Sequence, residues 1–152
     1  QRQMCIRDSS DTAFVFPVHK NPVVRMVVLK TFKNKNFSNL FLYDPLPYFD
    51  FVFLLSRSSL VLTDSGGIQE EAPYLGRKVV VMRDMTERKE AIMTGKVYLA
   101  GRAGNKILKS ASEILNSREQ TKFTGFSSGP FGDGHSAKKI AKICADFVCR
   151  LS

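Results

Sequence analysis

The stretch SLVLTDSGGIQEEAPYLGRKVVVM, residues 59–82, decides the fold. Its first five residues, Ser59 to Thr63, form a short apolar run that predicts a strand, and Lys78 to Met82 predicts another. The segment from Gly67 to Leu75 between them predicts a helix. Parallel strands need a crossover connection, and a helix is the usual one, so this order predicts neighbouring parallel strands.

The same alternation runs through most of the chain. Further strands are predicted at 13–18, 39–43 and 96–99, and further helices at 22–32, 47–56 and 87–93. Two more helices are predicted by apolar residues every three or four positions, from Ile107 to Leu115 and from Ala137 to Leu151. The segment 119–135 is rich in Gly, Ser and Thr and predicts a loop. Apolar strands joined by helices imply an α/β fold with a doubly wound parallel sheet covered on both faces.

Length and composition fit one domain. A chain of 152 residues with 43% hydrophobic content buries one ordinary core. Its most apolar stretch, Tyr48 to Leu62, is interrupted by charged and hydroxyl side chains, so no membrane span is predicted. Three cysteines at irregular spacing suit neither a disulfide framework nor a metal site, which favours the cytoplasm. Cys144 falls on the apolar face of the last predicted helix and is expected to be buried.

The net charge of +9 raises the hypothesis of nucleic-acid binding. The basic residues are scattered over polar helix faces and loops, and no recognisable nucleic-acid module accompanies them. We therefore expect a solvated basic surface without a nucleic-acid partner. The same charge balance also suits a small anionic ligand.

Residues 1–11 do not join this pattern. Gln1 to Ser10 has no strand or helix period and lacks the apolar middle of a secretory signal. A foreign or artefactual leader and a native segment both remain open. The predicted domain therefore comprises residues 12–152.

The strongest chemical signal is DSGGIQEE, residues 64–71, directly after a predicted strand. In parallel sheets ligands bind beyond the carboxyl ends of the strands. Gly66 and Gly67 would let the backbone approach a ligand, Ser65 is expected to cap the helix, and the helix amides favour a phosphate. Glu71 could accept hydrogen bonds from a diol such as a ribose. An ordinary capped helix after a turn explains the glycines equally well.

Three other loops carry candidate residues. Arg88 follows the strand that ends at Met82 and offers a guanidinium fork to an oxygen-rich ligand. His19 ends the first strand before a helix that begins with proline; it would bind a ligand, exchange protons, or bond only to the backbone. The segment GPFGDGHS, residues 129–136, predicts strained glycine turns with Ser136 as a helix cap.

Taken in order, PVHKNP, DPLPYFDFVFLL, LTDSGGIQEEAPYLGRKVVVMRDMTERKEA and GPFGDGHSAKKI resemble the motifs of a known family. They are similar to the carboxyl-terminal domain of bacterial non-hydrolysing UDP-N-acetylglucosamine 2-epimerases. The resemblance runs from about Thr12 to Cys149. It implies a Rossmann-like domain that forms the carboxyl-terminal half of a two-domain, glycosyltransferase-B-type fold.

The resemblance also implies a role for each matching residue. It assigns the diphosphate to Ser65, Gly66 and Gly67, the ribose to Glu71, the nucleotide portion to Arg88 and the uracil side to Phe51. His19 matches a histidine near the interdomain cleft, which in some members belongs to a regulatory site. Leu46 stands where the family often has glutamine, and Lys89 replaces a common proline. The family's catalytic carboxylates belong to an amino-terminal domain that these residues do not include, so the catalytic residues are unknown.

The implied reaction interconverts UDP-N-acetylglucosamine and UDP-N-acetylmannosamine by elimination and re-addition of UDP. It calls for no nicotinamide and no metal, and the sequence has neither a G-x-G-x-x-G turn nor clustered ligands. We expect a UDP-sugar as ligand, a homodimer for an intact member, and no turnover by these residues alone. A glycosyltransferase of the same fold, a hydrolysing epimerase and a non-catalytic basic binding module are the alternatives.

Overall fold

A computed structural model describes residues 11–32, 37–117 and 130–151. Strands and helices alternate along most of these residues. The strands are β1 Phe14–Pro17, β2 Leu40–Tyr43, β3 Val61–Thr63, β4 Val79–Val81 and β5 Val97–Leu99; the helices are α1 Pro22–Phe32, α2 Tyr48–Arg57, α3 Gly66–Tyr74, α4 Lys89–Met93, α5 Gly104–Asn116 and α6 Ser136–Leu151. The predicted order of elements is confirmed, with most boundaries displaced by one or two residues.

The strands pair in parallel, as predicted, and the described residues form two sheets. β1 pairs with β2, with Phe14 opposite Leu40. The second sheet has the order β3-β4-β5, in which Val79 of β4 lies opposite Val61 and Val97. The parallel strands predicted for the α/β fold are thus divided between a two-stranded and a three-stranded sheet in the described residues. Apolar runs identify parallel strands, but they do not determine which strands exchange hydrogen bonds.

The core is centred on β4. Val79, Val80 and Val81 are each 0% exposed, and successive side chains of a strand point to opposite faces. On one face Val79 and Val81 pack with residues of α2, α3 and α4, among them Leu55, Ala72 and Ala91. On the other face Val80 packs with Ala100 and with Ile107 of α5. The three-stranded sheet is thus covered on both faces, as the sequence predicts.

Helix α3 ends in a glycine turn that returns the chain to the sheet. Gly76 has a φ of 76°, a backbone conformation that favours glycine. The amide of Gly76 donates to the carbonyl of Pro73, and the amide of Arg77 donates to the carbonyl of Ala72, both at 3.0 Å. These two bonds form a Schellman motif. The motif ends the helix shortly before β4 and so sets the start of the buried strand.

Helices α1 and α6 contribute little to this core. Phe32 is the buried residue of α1, and every α6 side chain described from Ser136 to Cys149 is exposed. Cys144 is an exposed free thiol, so the expectation that it is buried is wrong. An apolar stripe shows that a helix is amphipathic, but it does not show which surface covers the stripe. No described helix is long and apolar enough to cross a membrane.

The central packing generates a stability prediction. We expect Val80→Ala to lower the free energy of unfolding by about 2 kcal/mol, because buried methyl groups are lost and a cavity is left. Val23→Ala is the control, since Val23 is 64% exposed on α1, and it should change the value by less than about 0.5 kcal/mol. Urea denaturation measures both. Equal losses for the two variants would contradict a core centred on β4.

Candidate functional site

The carboxyl ends of β3 and β4 bring two loops together. The amide of Met82, just past β4, donates to the carbonyl of Thr63 at the end of β3, at 2.9 Å. Beyond β4, the amide of Gly101 donates to the carbonyl of Arg83 at 3.0 Å. The loop at 64–65 and the loop at 82–88 therefore lie at the same edge of the sheet, where α/β proteins bind ligands.

The turn between β3 and α3 presents the start of a helix. Ser65 occupies the N-cap position, and its amide donates to Oγ1 of Thr63 at 3.0 Å. Its side chain makes no capping hydrogen bond in the described structure, so the predicted capping role is wrong. The helix also begins at Gly66 rather than at Gly67. The first amides of a helix have no partner within the helix, and here no Ser65 hydroxyl takes one of them.

Neither glycine of this turn is crowded by the surrounding side chains. A methyl group built on Gly66 would come no closer than 3.9 Å to another residue, Nη2 of Arg88, and one on Gly67 would lie 3.9 Å from Oε1 of Glu71. These are ordinary van der Waals distances. The protein's own packing therefore does not require glycine at either position. Their effect is to leave the backbone accessible from outside, which suits a bound ligand.

Arg88 lies beside this turn, as its place after β4 predicts. Its Nε forms an ion pair with Oε1 of Glu70, and its Nη1 lies 4.0 Å from Oε2 of Glu87. The Arg88 side chain is 39% exposed, so the guanidinium reaches solvent at the open face of the turn. The same loop is attached to α3, because the Thr86 hydroxyl donates to Oε1 of the buried Gln69 at 2.6 Å.

Glu71 of α3 adjoins the turn, and Phe51 lies on the neighbouring helix α2. Glu71 is half-buried, and the hydroxyl of Tyr48 lies 3.5 Å from its Oε2. Phe51, one turn further along α2, is half-buried against the core cluster that contains Leu55 and Ala72. The structure thus brings the carboxylate of Glu71 to the side of the glycine turn and places Phe51 on the core side of α2.

His19 lies at the end of β1, in the other sheet. It is exposed, and its Nδ1 accepts a hydrogen bond from the amide of Asn21 at 3.1 Å. Oδ1 of Asn21 in turn accepts from the amide of Val23 at 2.9 Å, which caps α1 ahead of its first residue, Pro22. This is the backbone-bonded arrangement that the sequence left open for His19.

The loop at 130–135 is anchored to α3. The Tyr74 hydroxyl donates to the carbonyl of Gly132 at 2.9 Å and accepts from the amide of Phe131 at 3.1 Å. Gly132 and Gly134 have φ values of 103° and 81°, which confirms the predicted glycine turns. Ser136 is the first residue of α6 and not its cap, because the carbonyl of His135 accepts the first helical bond, from Lys139. Residues 119–129 of the predicted loop lie outside the described residues.

An exposed ion pair joins this loop to α6. The Lys139 ammonium donates to Oδ2 of Asp133 at 2.9 Å, and the amide of His135 donates to Oδ1 at 3.0 Å. These hydrogen bonds hold the pKa of Asp133 below its ordinary value. Because the pKa of Asp133 is lower in the folded state than in the unfolded state, ionised Asp133 stabilises the fold fully at a pH above the unfolded pKa. This stabilisation is lost as the pH falls through the folded pKa.

Sequence reasoning missed several residues of this site. The buried Gln69 lies at its base, and Thr86, Glu70, Tyr48 and Tyr74 contact the predicted residues. A glutamine inside an otherwise apolar and acidic stretch is the available signal, since a buried amide needs partners. Within residues 11–32, 37–117 and 130–151, no three His, Cys, Asp or Glu side chains group to hold a metal ion.

Solved structures of similar fold define the class of this protein. The chain is similar to UDP-GlcNAc 2-epimerase from Neisseria meningitidis bound to UDP-GlcNAc, with a TM-score of 0.84 and 35% identity over 95% of this chain and 38% of that one. It is also similar to the Methanocaldococcus jannaschii enzyme in complex with UDP-GlcNAc and UDP, with a TM-score of 0.77 and 31% identity over 94% and 38% of the two chains. The class is a Rossmann-like α/β half of a glycosyltransferase-B fold.

The family follows from the sequence match. The model of the family described as UDP-N-acetylglucosamine 2-epimerase matches residues 4–145. A curated relative from Campylobacter jejuni, UDP-N-acetylglucosamine 2-epimerase, is 39% identical over 136 residues, which are 90% of this chain. The chain belongs to the UDP-N-acetylglucosamine 2-epimerase family. It spans 35% of the length of that relative.

The anchored loop generates a prediction about local stability. We expect Tyr74→Phe to lose both hydroxyl hydrogen bonds, to lower the free energy of unfolding by about 1 kcal/mol, and to speed amide exchange at Phe131. Tyr98→Phe is the matched control, because Tyr98 lies on β5 and not at this loop. Hydrogen exchange followed by NMR measures the amide. Unchanged protection of Phe131 in Tyr74→Phe would contradict the anchoring role.

Proposed function

We propose that this chain is the UDP-binding part of a UDP-N-acetylglucosamine 2-epimerase, which interconverts UDP-N-acetylglucosamine and UDP-N-acetylmannosamine. One observation carries the proposal: the accessible Ser65-Gly66-Gly67 turn opens a helix at the carboxyl edge of the sheet, with Arg88 beside it. A helix amino end and a guanidinium are the two groups that best recognise a phosphate. The family membership supports UDP as the phosphate compound that they would hold.

The proposed contacts follow the shape of UDP. The diphosphate would accept hydrogen bonds from the Ser65 hydroxyl and from the amides of Gly66 and Gly67. Arg88 would donate to the nucleotide from the side of the turn. Glu70 also pairs with Arg88, and the five N–H donors of a guanidinium allow both contacts.

Glu71 and Phe51 would bind the nucleoside. The carboxylate of Glu71, 3.5 Å from the Tyr48 hydroxyl, would accept hydrogen bonds from the ribose diol. Phe51, half-buried on the neighbouring helix, would pack on the uracil side. His19 would serve a cleft or regulatory site, since its Nδ1 is occupied by the Asn21 amide while its ring is exposed.

The proposed reaction eliminates UDP from the sugar and adds it back after C2 has been inverted. It needs a base to remove the C2 proton, an acid to return one, and a site that stabilises and retains UDP as leaving group. These residues supply the third requirement. The route requires neither a nicotinamide nor a metal. We also propose that the intact enzyme is a cytoplasmic homodimer with no nucleic-acid or membrane partner.

The phosphate role predicts a difference between two ligands. We expect the folded chain to bind UDP weakly but more tightly than uridine, because the helix amino end contacts the diphosphate. Ser65→Ala should weaken UDP binding by about 1 to 3 kcal/mol through loss of a polar partner. Ser59→Ala is the control, since Ser59 precedes β3 at the opposite end of the strand. Calorimetry that shows equal affinity for UDP and uridine would contradict the proposal.

The ribose role predicts a different pattern for Glu71. We expect Glu71→Ala to weaken uridine and UDP by similar amounts, about 1 to 3 kcal/mol each, because both ligands carry the ribose. Glu113→Ala is the control, since Glu113 is exposed on α5 and pairs with Lys109. A loss confined to UDP, or no loss for either ligand, would contradict the ribose contact.

These residues are proposed to bind UDP but not to supply the catalytic base and acid. We therefore expect that these 152 residues alone do not interconvert the two sugar nucleotides. His19, Asp84, Glu87 and His135 are the titratable candidates in the relevant loops, and none matches the family's catalytic carboxylates. Purified chain incubated with each sugar nucleotide in D2O should give no epimer and no deuterium at C2. Turnover that survives repurification would contradict this division. Release of free N-acetylmannosamine would instead indicate a hydrolysing enzyme, and transfer to an added acceptor a glycosyltransferase.

A further inference from the structure

A partly buried chain of hydrogen bonds connects the two loops of the site. Nε2 of Gln69 donates to the carbonyl of Ser65 at 3.1 Å. Oε1 of Gln69 accepts from the Thr86 hydroxyl at 2.6 Å. Oγ1 of Thr86 accepts from the amide of Arg88 at 3.1 Å. These three hydrogen bonds from Ser65 to Arg88 form the Gln69–Thr86 bridge, which joins the backbone at the start of the glycine turn to the backbone of the arginine.

We propose that Gln69 and Thr86 are positioning residues that hold the Arg88 loop in register with the Ser65-Gly66-Gly67 turn. This inference rests on the proposed function, because the two groups they position are those assigned to UDP. Gln69 and Thr86 themselves have no proposed contact with the nucleotide. Their role would be to fix the distance between the Ser65-Gly66-Gly67 turn and Arg88, which are the groups proposed to contact UDP.

The chemistry of the partners fixes the direction of every bond in the bridge. The carbonyl of Ser65 can only accept, so the amide nitrogen of Gln69 must face it and the amide oxygen must face Thr86. The amide of Arg88 can only donate, so it takes a lone pair of Thr86, whose proton then goes to Gln69. A rotation of the buried Gln69 amide would place its oxygen against the carbonyl of Ser65, and neither oxygen would then have its donor. The bridge is thus a single arrangement.

Burial makes the bridge more constraining than the ion pair beside it. Gln69 is 0% exposed, and an unpaired amide there would bear its full desolvation cost. The Arg88–Glu70 pair has side chains that are 39% and 35% exposed, where solvent weakens an ion pair. Glu70 can therefore orient the guanidinium, while the bridge fixes the backbone from which the side chain extends.

A second threonine provides a matched control. The Thr94 hydroxyl donates to the carbonyl of Ala91 at 2.6 Å, and its Oγ1 accepts from the amide of Lys96 at 3.2 Å. Thr86 has the same pattern, with one bond donated and one accepted from the amide two residues later. Thr94 lies after α4 and makes only local bonds. Thr94→Val therefore removes equivalent hydrogen bonds without touching the bridge.

The experiment compares Thr86→Val, Thr86→Ser and Thr94→Val in the full chain. Without ligand, we expect Thr86→Val to speed amide exchange both at Arg88 and in the distant segment 64–68, which a local defect would not reach. With UDP, its Kd should rise roughly three- to tenfold, because the two hydroxyl hydrogen bonds that hold the loop in register are lost. Thr86→Ser should restore both properties because it keeps the hydroxyl, and Thr94→Val should leave both unchanged.

Three results would overturn the inference: wild-type exchange in segment 64–68 of Thr86→Val, an equal loss of UDP affinity in Thr94→Val, or an unfolded Thr86→Val beside a folded Thr94→Val. The last two would make Thr86 a structural residue like any other. Failure of the wild-type chain to bind UDP would count against the proposed function. The exchange comparison needs no ligand, so it would still decide whether the bridge couples the two loops.

Discussion

The burial of β4 between β3 and β5 is the constraint on which the rest of the structure depends. Val79, Val80 and Val81 are all 0% exposed, and every backbone group of such a strand must be paired within the sheet. Parallel neighbours satisfy these groups, and parallel strands need crossover helices. The helices in turn force the chain to leave each strand at the same edge. The glycine turn and the Arg88 loop therefore meet there as a consequence of the core.

The site combines an open backbone with a rigid base. Gly66 and Gly67 are not needed by the internal packing, and they leave the first amides of α3 accessible. Beneath them, the buried Gln69 accepts a hydrogen bond from the half-buried Thr86 and donates one to the carbonyl of Ser65. A phosphate would meet groups that are already in place, so little binding energy would be lost to ordering them. Gly66, Gly67 and Gln69 all belong to α3, and Thr86 contacts Gln69 from the loop after β4.

The sequence predicts most of the fold, because each element is identified by its own local pattern. Pro22–Phe32 is predicted to the residue, and the proline that marks the start in the sequence does begin that helix. Two of the errors concern relations between distant elements. Cys144 was expected to be buried, but burial requires a surface that covers its helix, and no sequence pattern specifies that surface. The Gln69–Thr86 hydrogen bond was missed because it joins residues 17 positions apart. The Ser65 cap failed for a local reason, since a serine at an N-cap can leave its hydroxyl unused.

The start of α3 and the Arg88 loop would together form one anion site for UDP, and the function proposed for this chain depends on that site. The most direct measurement is a titration of the isotopically labelled chain with UDP, followed through its backbone amide signals by NMR. We expect the largest shifts at Ser65, Gly66, Gly67 and Arg88, all saturating with a single Kd. Shifts concentrated instead on the exposed basic residues of α6, or two sets of shifts with different Kd values for the turn and for Arg88, would contradict a single site.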